Sequence, residues 1–279
     1  MRKLNRIFSK KGLAAAPKYI SLTGKKTYYG YFYKNTQERR KNRELLKKRR
    51  IEAANKSLEQ GYTRKEKPLV SIITPTYNRI ELLAERAIPS ALNQTYKNIE
   101  IIIVGDHCTD ETENRIKSFK DPRIKFYNLP KRSRYPKDPN KKWYVHGAKP
   151  RNVALELAAG EWIAPLDDDD EFSKDHIESL LNYALENNYE MVYGRVAREI
   201  APGEWSEVGS YPLKPGEISL MSVLYHSRLN FIKWSSDSWK YEEPTDWNLW
   251  RRIEEAGARI GFLDKVVGTH YIERVQIYK

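Results

Sequence analysis

The sequence predicts an α/β protein built on a parallel sheet flanked by helices, and three observations carry that prediction. Two apolar, β-branched runs, residues 69–74 and 99–104, read as strands buried on both faces, as strands of a parallel sheet are. Strand and helix patterns then alternate from residue 68 onward, which is the signature of crossover connections. Finally, each strand pattern ends in polar residues: Thr76-Tyr77-Asn78 after the first, Asp106 after the second and Asp167-Asp168-Asp169-Asp170 after a third. Ligands of open α/β sheets bind at these carboxyl ends.

Each element has its own justification. Residues 35–60 are rich in Arg, Lys, Glu, Leu and Ala without Gly or Pro, and read as a charged helix that packs by a narrow stripe including Leu45, Leu46 and Ile51. Just before it lies an aromatic cluster, Tyr28-Tyr29-Gly30-Tyr31-Phe32-Tyr33, and Gly61 and Pro68 punctuate its end. After the strand at 69–74, Leu82, Leu83, Ala87, Ala91 and Leu92 recur at helical spacing, with Pro89 as a kink. Residues 111–119 form the next helix and 124–127 the third strand, followed by a loop over 130–150 rich in Pro, Lys, Arg and aromatics. A short helix at 151–159 is closed by Gly160 as its C′ residue. The strand leading into the Asp cluster follows, and then a helix capped by Ser173 whose stripe is Ile177, Leu180, Leu181, Ala184 and Leu185. Residues 191–193 read as a strand, 202–243 as irregular, 245–256 as a final helix stopped by Gly257, and 265–267 as strand-like.

Composition narrows the class. The 279 residues provide for a sizeable core, and the net charge of +13 is placed unevenly. Residues 1–67 hold 21 Lys and Arg against 5 Glu, a net of +16, so the remainder is slightly acidic at −3. The chain therefore divides into a basic N-terminal extension, aromatic then helical (1–67), and a main domain (68–279). The single cysteine, Cys108, excludes an intramolecular disulfide and a Cys-rich zinc site. No run approaches the ~20 apolar residues of a membrane span, and the N-terminus lacks a signal-peptide core. A cytoplasmic protein is expected, with peripheral membrane contact through the extension as an option.

The four consecutive aspartates are the most informative local feature. Carboxylates a few ångströms apart repel and raise each other's pKa. A divalent cation removes that cost, and Mg²⁺ or Mn²⁺ typically takes one or two carboxylates plus substrate phosphates. An acidic surface turn is the bland alternative.

The order of the motifs decides between them. Pro68-Leu-Val-Ser-Ile-Ile-Thr-Pro-Thr-Tyr-Asn-Arg79, Ala87-Ile-Pro-Ser-Ala-Leu-Asn-Gln-Thr-Tyr96 and Ile99-Glu-Ile-Ile-Ile-Val-Gly-Asp106 with Thr109-Asp110 are followed by Arg151-Asn152, Gly160-Glu-Trp-Ile163 and Leu166-Asp-Asp-Asp-Asp170. This series resembles the family 2 glycosyltransferases of the GT-A fold, strongly over 68–200 and more loosely over 201–272. The resemblance implies a mixed, mainly parallel sheet with a nucleotide-binding half (68–170) and an acceptor-binding half (171–279). It also implies a nucleotide-diphosphate sugar donor, most commonly a UDP-sugar, a divalent metal (Mn²⁺ or Mg²⁺) and inversion at the anomeric carbon. Carried over residue by residue, Thr76, Tyr77 and Asn78 border the base, Asp106 hydrogen-bonds it, and Arg151 lies against the nucleotide or diphosphate. Asp167 and Asp168 line the donor, Asp169 is the direct metal ligand, and His270 adds to the metal or diphosphate site. His107-Cys108 stands where the family usually has small residues.

A single displacement needs a base for the acceptor hydroxyl. Asp246, at the start of the last helix, falls where the family places it, and the helix dipole there favours the ionised form. Glu242 and Glu243 are its neighbours, and helix capping is its structural alternative. No Gln-x-x-Arg-Trp signature occurs, so one sugar per encounter is expected, delivered to a glycan or lipid-linked acceptor. Aromatics such as Trp205, Tyr211, Tyr225, Trp234 and Trp247 stack on sugars or fill the core. Two other classes fit the sequence less well. A nucleotidyltransferase usually opens on a Gly-rich segment, and 74–79 has none. A nucleic-acid or membrane binder acting through the basic extension leaves 68–272 unexplained, so no nucleic acid is expected; the extension suits an anionic membrane surface or a partner enzyme instead.

Overall fold

The computed structural model describes residues 25–59 and 67–272, with side chains of the first helix described for residues 36–55. Nine strands among the described residues form one sheet in the order β3-β2-β1-β4-β8-β6-β9-β5, with β7 pairing to β6. Strands β1 (Val70–Thr76), β2 (Ile99–Gly105), β3 (Ile124–Asn128) and β4 (Trp162–Pro165) are parallel neighbours. Their burial explains their composition: every residue of β1, β2 and β4 is buried. The chain runs β1, β2, β3 in one direction and returns to place β4 on the other side of β1, which creates a switch in strand order between β1 and β4.

Beyond β4 the sheet becomes mixed. Strand β6 (Met191–Ala201) lies parallel to β9 (Ile260–His270) and antiparallel to β7 (Glu204–Val208) and β8 (Val223–His226). Strand β8 in turn runs antiparallel to β4, and the short β5 (Glu171–Phe172) antiparallel to β9. Helices α1 (Lys25–Glu59), α2 (Thr112–Ser118), α3 (Ala148–Leu157), α4 (His176–Glu186) and α5 (Thr245–Glu255) accompany it.

Several boundaries differ from the sequence reading, each for a local reason. The stretch after β1 changes to a π turn over Leu83–Ala87 between Ile80–Leu82 and Ile88–Leu92. Pro89 has no N–H to offer the carbonyl four residues back, so the irregularity falls just before it. Helix α3 starts and ends earlier than expected, and Ala158 is its C-cap. Gly160 serves instead as a close approach: its N–H donates to Ser71 Oγ at 2.8 Å, and a Cβ there would stand 2.4 Å from the same oxygen. Ser173 does not cap α4. The N-cap is Asp175, whose carboxylate accepts from Ser179 Oγ at 2.9 Å and pairs with Lys265. Strands β7 and β8 fall in the segment expected to be irregular, and β6 and β9 are longer than expected, because the β6–β7 hairpin and much of β9 are half-exposed and carry charge without a clean apolar alternation.

Helix α1 begins ten residues before the expected start at 35. Its backbone includes the aromatic cluster 28–33, whose side chains lie outside the described residues, as does Gly61. Leu46, 1% exposed, joins the main core. Charged contacts do the rest. Glu38 accepts from Arg252 Nε at 2.8 Å, Arg39 pairs with Glu255, and Arg49 Nη1 donates to the Arg228 carbonyl at 3.1 Å.

Glu190 is the hub of this docking. It is 1% exposed, accepts from Arg50 Nε at 2.9 Å and from the Arg259 backbone N–H at 3.1 Å, and has Arg228 within 3.8 Å. Burial alone would raise its pKa, but the Arg50 hydrogen bond and the Arg259 N–H bring it below the ordinary value. Its folded pKa is thus lowered, so its contribution is present above the ordinary glutamate pKa and is lost as pH falls through the lower folded value. Glu190→Ala leaves the part-exposed guanidinium groups of Arg50 and Arg228 without their shared carboxylate and should cost about 1–3 kcal/mol in urea unfolding. The wild-type advantage over this variant should shrink as the buffer is taken from pH 6 to pH 3.

Candidate active site

The switch between β1 and β4 gathers the predicted residues at one edge. Thr76, the last residue of β1, donates its hydroxyl to Asp168 Oδ2 at 2.7 Å, so the strand end and the acidic turn are joined directly. That turn carries more charge than the chain can leave unpaired, and cations arrive from separate segments. Arg79, from the loop after β1, places Nη1 3.0 Å from Asp168 and Nη2 2.9 Å from Asp169. Arg151 on α3 pairs with Asp167 and donates to the His146 carbonyl at 2.8 Å. At the end of β9, His270 Nδ1 lies 2.9 Å from Asp170, whose other oxygen accepts the Tyr271 N–H at 3.2 Å.

Burial sets the proton affinities. It pushes Asp168 up to about 8 against the opposing pull of Arg79, with the Asp169 charge adding to the rise. Asp170 is pushed up to about 6 by burial, opposed by its bond to His270. His270 ends above its ordinary value because the Asp170 contact outweighs a downward push from burial.

The nearby Asp106 is saturated from within the chain. Its Oδ1 accepts from the Ser133 N–H at 2.8 Å and Ser133 Oγ at 2.5 Å, and its Oδ2 from Arg132 Nη1 at 2.6 Å and Tyr135 OH at 2.6 Å. The Arg132 guanidinium also lies 3.2 Å over the Tyr77 ring. Asn78 sits at φ 49° and pins the next loop, accepting the Thr109 N–H at 2.9 Å and donating to Thr109 Oγ1 at 3.1 Å. His107 adopts φ 65°, a left-handed conformation that favours glycine.

Asp246 occupies the first turn of α5 and accepts the Trp247 N–H at 2.7 Å. It faces the acidic turn closely enough that Arg151 and Asp167 act on it in opposite senses. The expected bias from the helix dipole is overridden: burial raises its pKa. Glu243 is committed elsewhere, accepting from Asn248 Nδ2 at 2.6 Å and from two nitrogens of Arg251 at 2.9 Å each. Trp234 and Tyr225 pack edge-on against Trp250 in the core, whereas Trp205 and Tyr211 are exposed.

No group of three or more His, Cys, Asp or Glu is arranged to hold a metal ion among the described residues. The donor chemistry nevertheless fits Mg²⁺ or Mn²⁺, since hard carboxylate oxygens are concentrated here and burial drives two of the carboxylates toward protonation. With Nδ1 turned to Asp170, Nε2 is the ring nitrogen His270 has left for a ligand, the usual carboxylate–histidine arrangement.

Arg79, Arg86, Arg132, Ser133 and Tyr135 were not selected from the sequence. Arg86 donates to the Asp169 carbonyl at 3.0 Å and lies over the Tyr271 ring at 4.1 Å. The signal was the charge itself, because buried aspartates require buried or nearby cations and the loop at 130–150 is rich in them.

A family model described as glycosyl transferase family 2 matches residues 71–236. The chain is 33% identical over 162 residues to the poly(ribitol-phosphate) beta-N-acetylglucosaminyltransferase TarP of Staphylococcus aureus, covering 57% of this chain and 45% of TarP. It is 36% identical over 127 residues to the Escherichia coli UDP-Glc:alpha-D-GlcNAc-diphosphoundecaprenol beta-1,3-glucosyltransferase WfgD, covering 45% of each. The chain thus spans less than half the length of these relatives. Among solved structures, the mannosyltransferase PcManGT of Pyrobaculum calidifontis, in complex with GDP-Man and Mn²⁺, aligns with TM-score 0.54 at 15% identity over 87% of this chain and 70% of that one, a likeness of fold.

The raised pKa of Asp168 has a measurable consequence. Between the ordinary aspartate pKa and about 8, the folded protein holds a proton that the unfolded chain has released, so stability falls as pH rises through that window. In metal-free buffer, Asp168→Asn should flatten this dependence and raise the melting midpoint at pH 8 by about 2–4 °C. An unchanged pH profile would show that Asp168 stays ionised.

Proposed function

The chain belongs to glycosyl transferase family 2, and from that premise we propose that it is a metal-dependent, inverting, non-processive enzyme that moves one sugar from a nucleotide-diphosphate donor, UDP-linked by preference, to a hydroxyl of a glycan or lipid-linked saccharide. What supports the reading is the position of Asp246 in the first turn of α5, near enough to Arg151 and Asp167 for the charges of both to act on it. WfgD is named for a UDP-Glc donor and a diphosphoundecaprenol-linked acceptor, which supports both preferences.

In this reading residues 68–170 hold the donor, 171–279 the acceptor, and 1–67 is an extension docked through α1. Tyr77, Thr76 and Asn78 border the base, and Asp106 meets its polar edge by exchanging one of its present partners, Arg132, Ser133 or Tyr135. Arg151, together with Asp167 and Asp168, lines the diphosphate and the ribose or donor sugar. Asp169, assisted by His270, would hold Mn²⁺ or Mg²⁺, which supplies positive charge to the departing diphosphate. Asp246 takes the proton of the acceptor hydroxyl as its oxygen forms the new bond to the anomeric carbon. The bond from that carbon to the diphosphate breaks on the opposite face, so configuration inverts. Glu243 is unsuited to the role because its carboxylate is held by Arg251 and Asn248.

Asp246→Asn keeps the shape and the acceptor for the Trp247 N–H but removes the basic lone pair. Nucleotide binding should persist while transfer falls by a factor on the order of 10²–10⁴. Normal transfer by this variant would exclude Asp246 as the base.

A further inference from the structure

A cavity of about 530 Å³ opens beside the candidate active site, lined by Lys131, Arg132, Arg134, Lys149, Asn152 and Ser236. Four of the six are cations and none is acidic. Arg132 is tied to Asp106, but Lys131, Arg134 and Lys149 make no ion pair among the described residues. Lys131, Arg134 and Lys149 are solvent-exposed, and like charges gathered around one concavity raise the local positive potential and attract an anion.

The cavity shares Arg132 with the expected base site but lies on another side of α3 from the side on which Arg151 meets the acidic turn. Arg151 on α3 turns toward Asp167, whereas Lys149 and Asn152 lie two residues before and one after it, roughly 200° and 100° around the helix. Asn152 also fixes the opposite wall: its amide accepts the Trp234 N–H and donates to the Trp234 carbonyl, both at 2.9 Å. That wall continues through Ser235, whose carbonyl accepts from Thr245 Oγ1 at 3.2 Å, next to Asp246. The cavity therefore lies between Arg132, at the expected base site, and the segment that carries the proposed base.

We propose that this cavity binds a phosphate or diphosphate carried by the acceptor, so that the enzyme acts on a phosphate-bearing saccharide or polyol. The proposal rests on the glycosyltransferase reading of the neighbouring site. Phosphate oxygens suit the arrangement because guanidinium groups meet them with paired, charge-assisted hydrogen bonds and lysines add point charge. The volume accommodates a diphosphate with part of the adjoining group.

The test uses the full chain and the variant Lys131→Gln/Arg134→Gln/Lys149→Gln, titrated with inorganic pyrophosphate and with farnesyl diphosphate in metal-free buffer, and with UDP and GDP in the presence of Mn²⁺. The variant should bind both diphosphate probes at least about tenfold more weakly, with nucleotide affinity changed less than twofold. Tighter binding of farnesyl diphosphate than of pyrophosphate assigns a lipid-borne diphosphate, and equal affinity assigns a water-soluble phosphate; either supports the site. Unchanged pyrophosphate binding in the variant overturns it. A parallel loss of nucleotide and pyrophosphate binding also overturns it, since the cavity would then be part of the donor site. If the wild-type chain binds pyrophosphate through these residues but neither nucleotide, the anion site stands and the donor reading falls.

Discussion

Stacked negative charge at the carboxyl end of β4 is the constraint on which the rest of the site depends. Four consecutive aspartates cannot share one partly buried turn without compensation, and the fold supplies it from distant sequence: Arg79 after β1, Arg151 on α3 and His270 at the end of β9. Those three segments must converge for the turn to be tolerated. The same pairing therefore couples the parallel half of the sheet to the antiparallel half. Where compensation is incomplete, as at Asp168, burial wins and the carboxylate is driven toward its neutral form. A site in that condition is preorganised to accept positive charge.

A similar economy governs the parts around it. Asp106 is held by Arg132, Ser133 and Tyr135, so one carboxylate orders the loop that leads away from β3. Glu190 does the same for α1, collecting Arg50 from the helix and the Arg259 N–H from the approach to β9. Gln94 is wholly buried and neutral, yet it too joins segments: its amide donates to the carbonyls of Ser90 and Ser173 and accepts the Ile177 N–H. These three buried polar groups act as junctions, each joining segments far apart in sequence.

The parallel half was legible because its strands are buried on both faces and therefore carry an uninterrupted apolar signal. Positions of β1, β2 and β4 followed directly, and so did the polar strand ends that line the site. The antiparallel half was less legible. Strands β6 and β9 place Arg195 and Lys265 among apolar residues on half-exposed surfaces and bury Glu199, and that mixture obscures the period. Pairing partners were not legible at all. Asp106, Asp167 and Asp169 were identifiable as candidates from their placement after strands, but nothing local to them announces Arg132, Arg151 or Arg79 as their partners. The identity of a salt-bridge partner belongs to the tertiary structure, and the sequence shows only that one must exist.

The central claim is that the acidic turn is a cation-dependent seat for a nucleotide diphosphate. It is tested most directly by calorimetric titration of UDP and GDP into the full chain with and without Mn²⁺, repeated on Asp169→Asn. The account predicts that one nucleotide binds at least about tenfold more tightly with Mn²⁺, and that this gain disappears in the variant. Equal nucleotide affinity with and without the cation, or an undiminished gain in the variant, would contradict it.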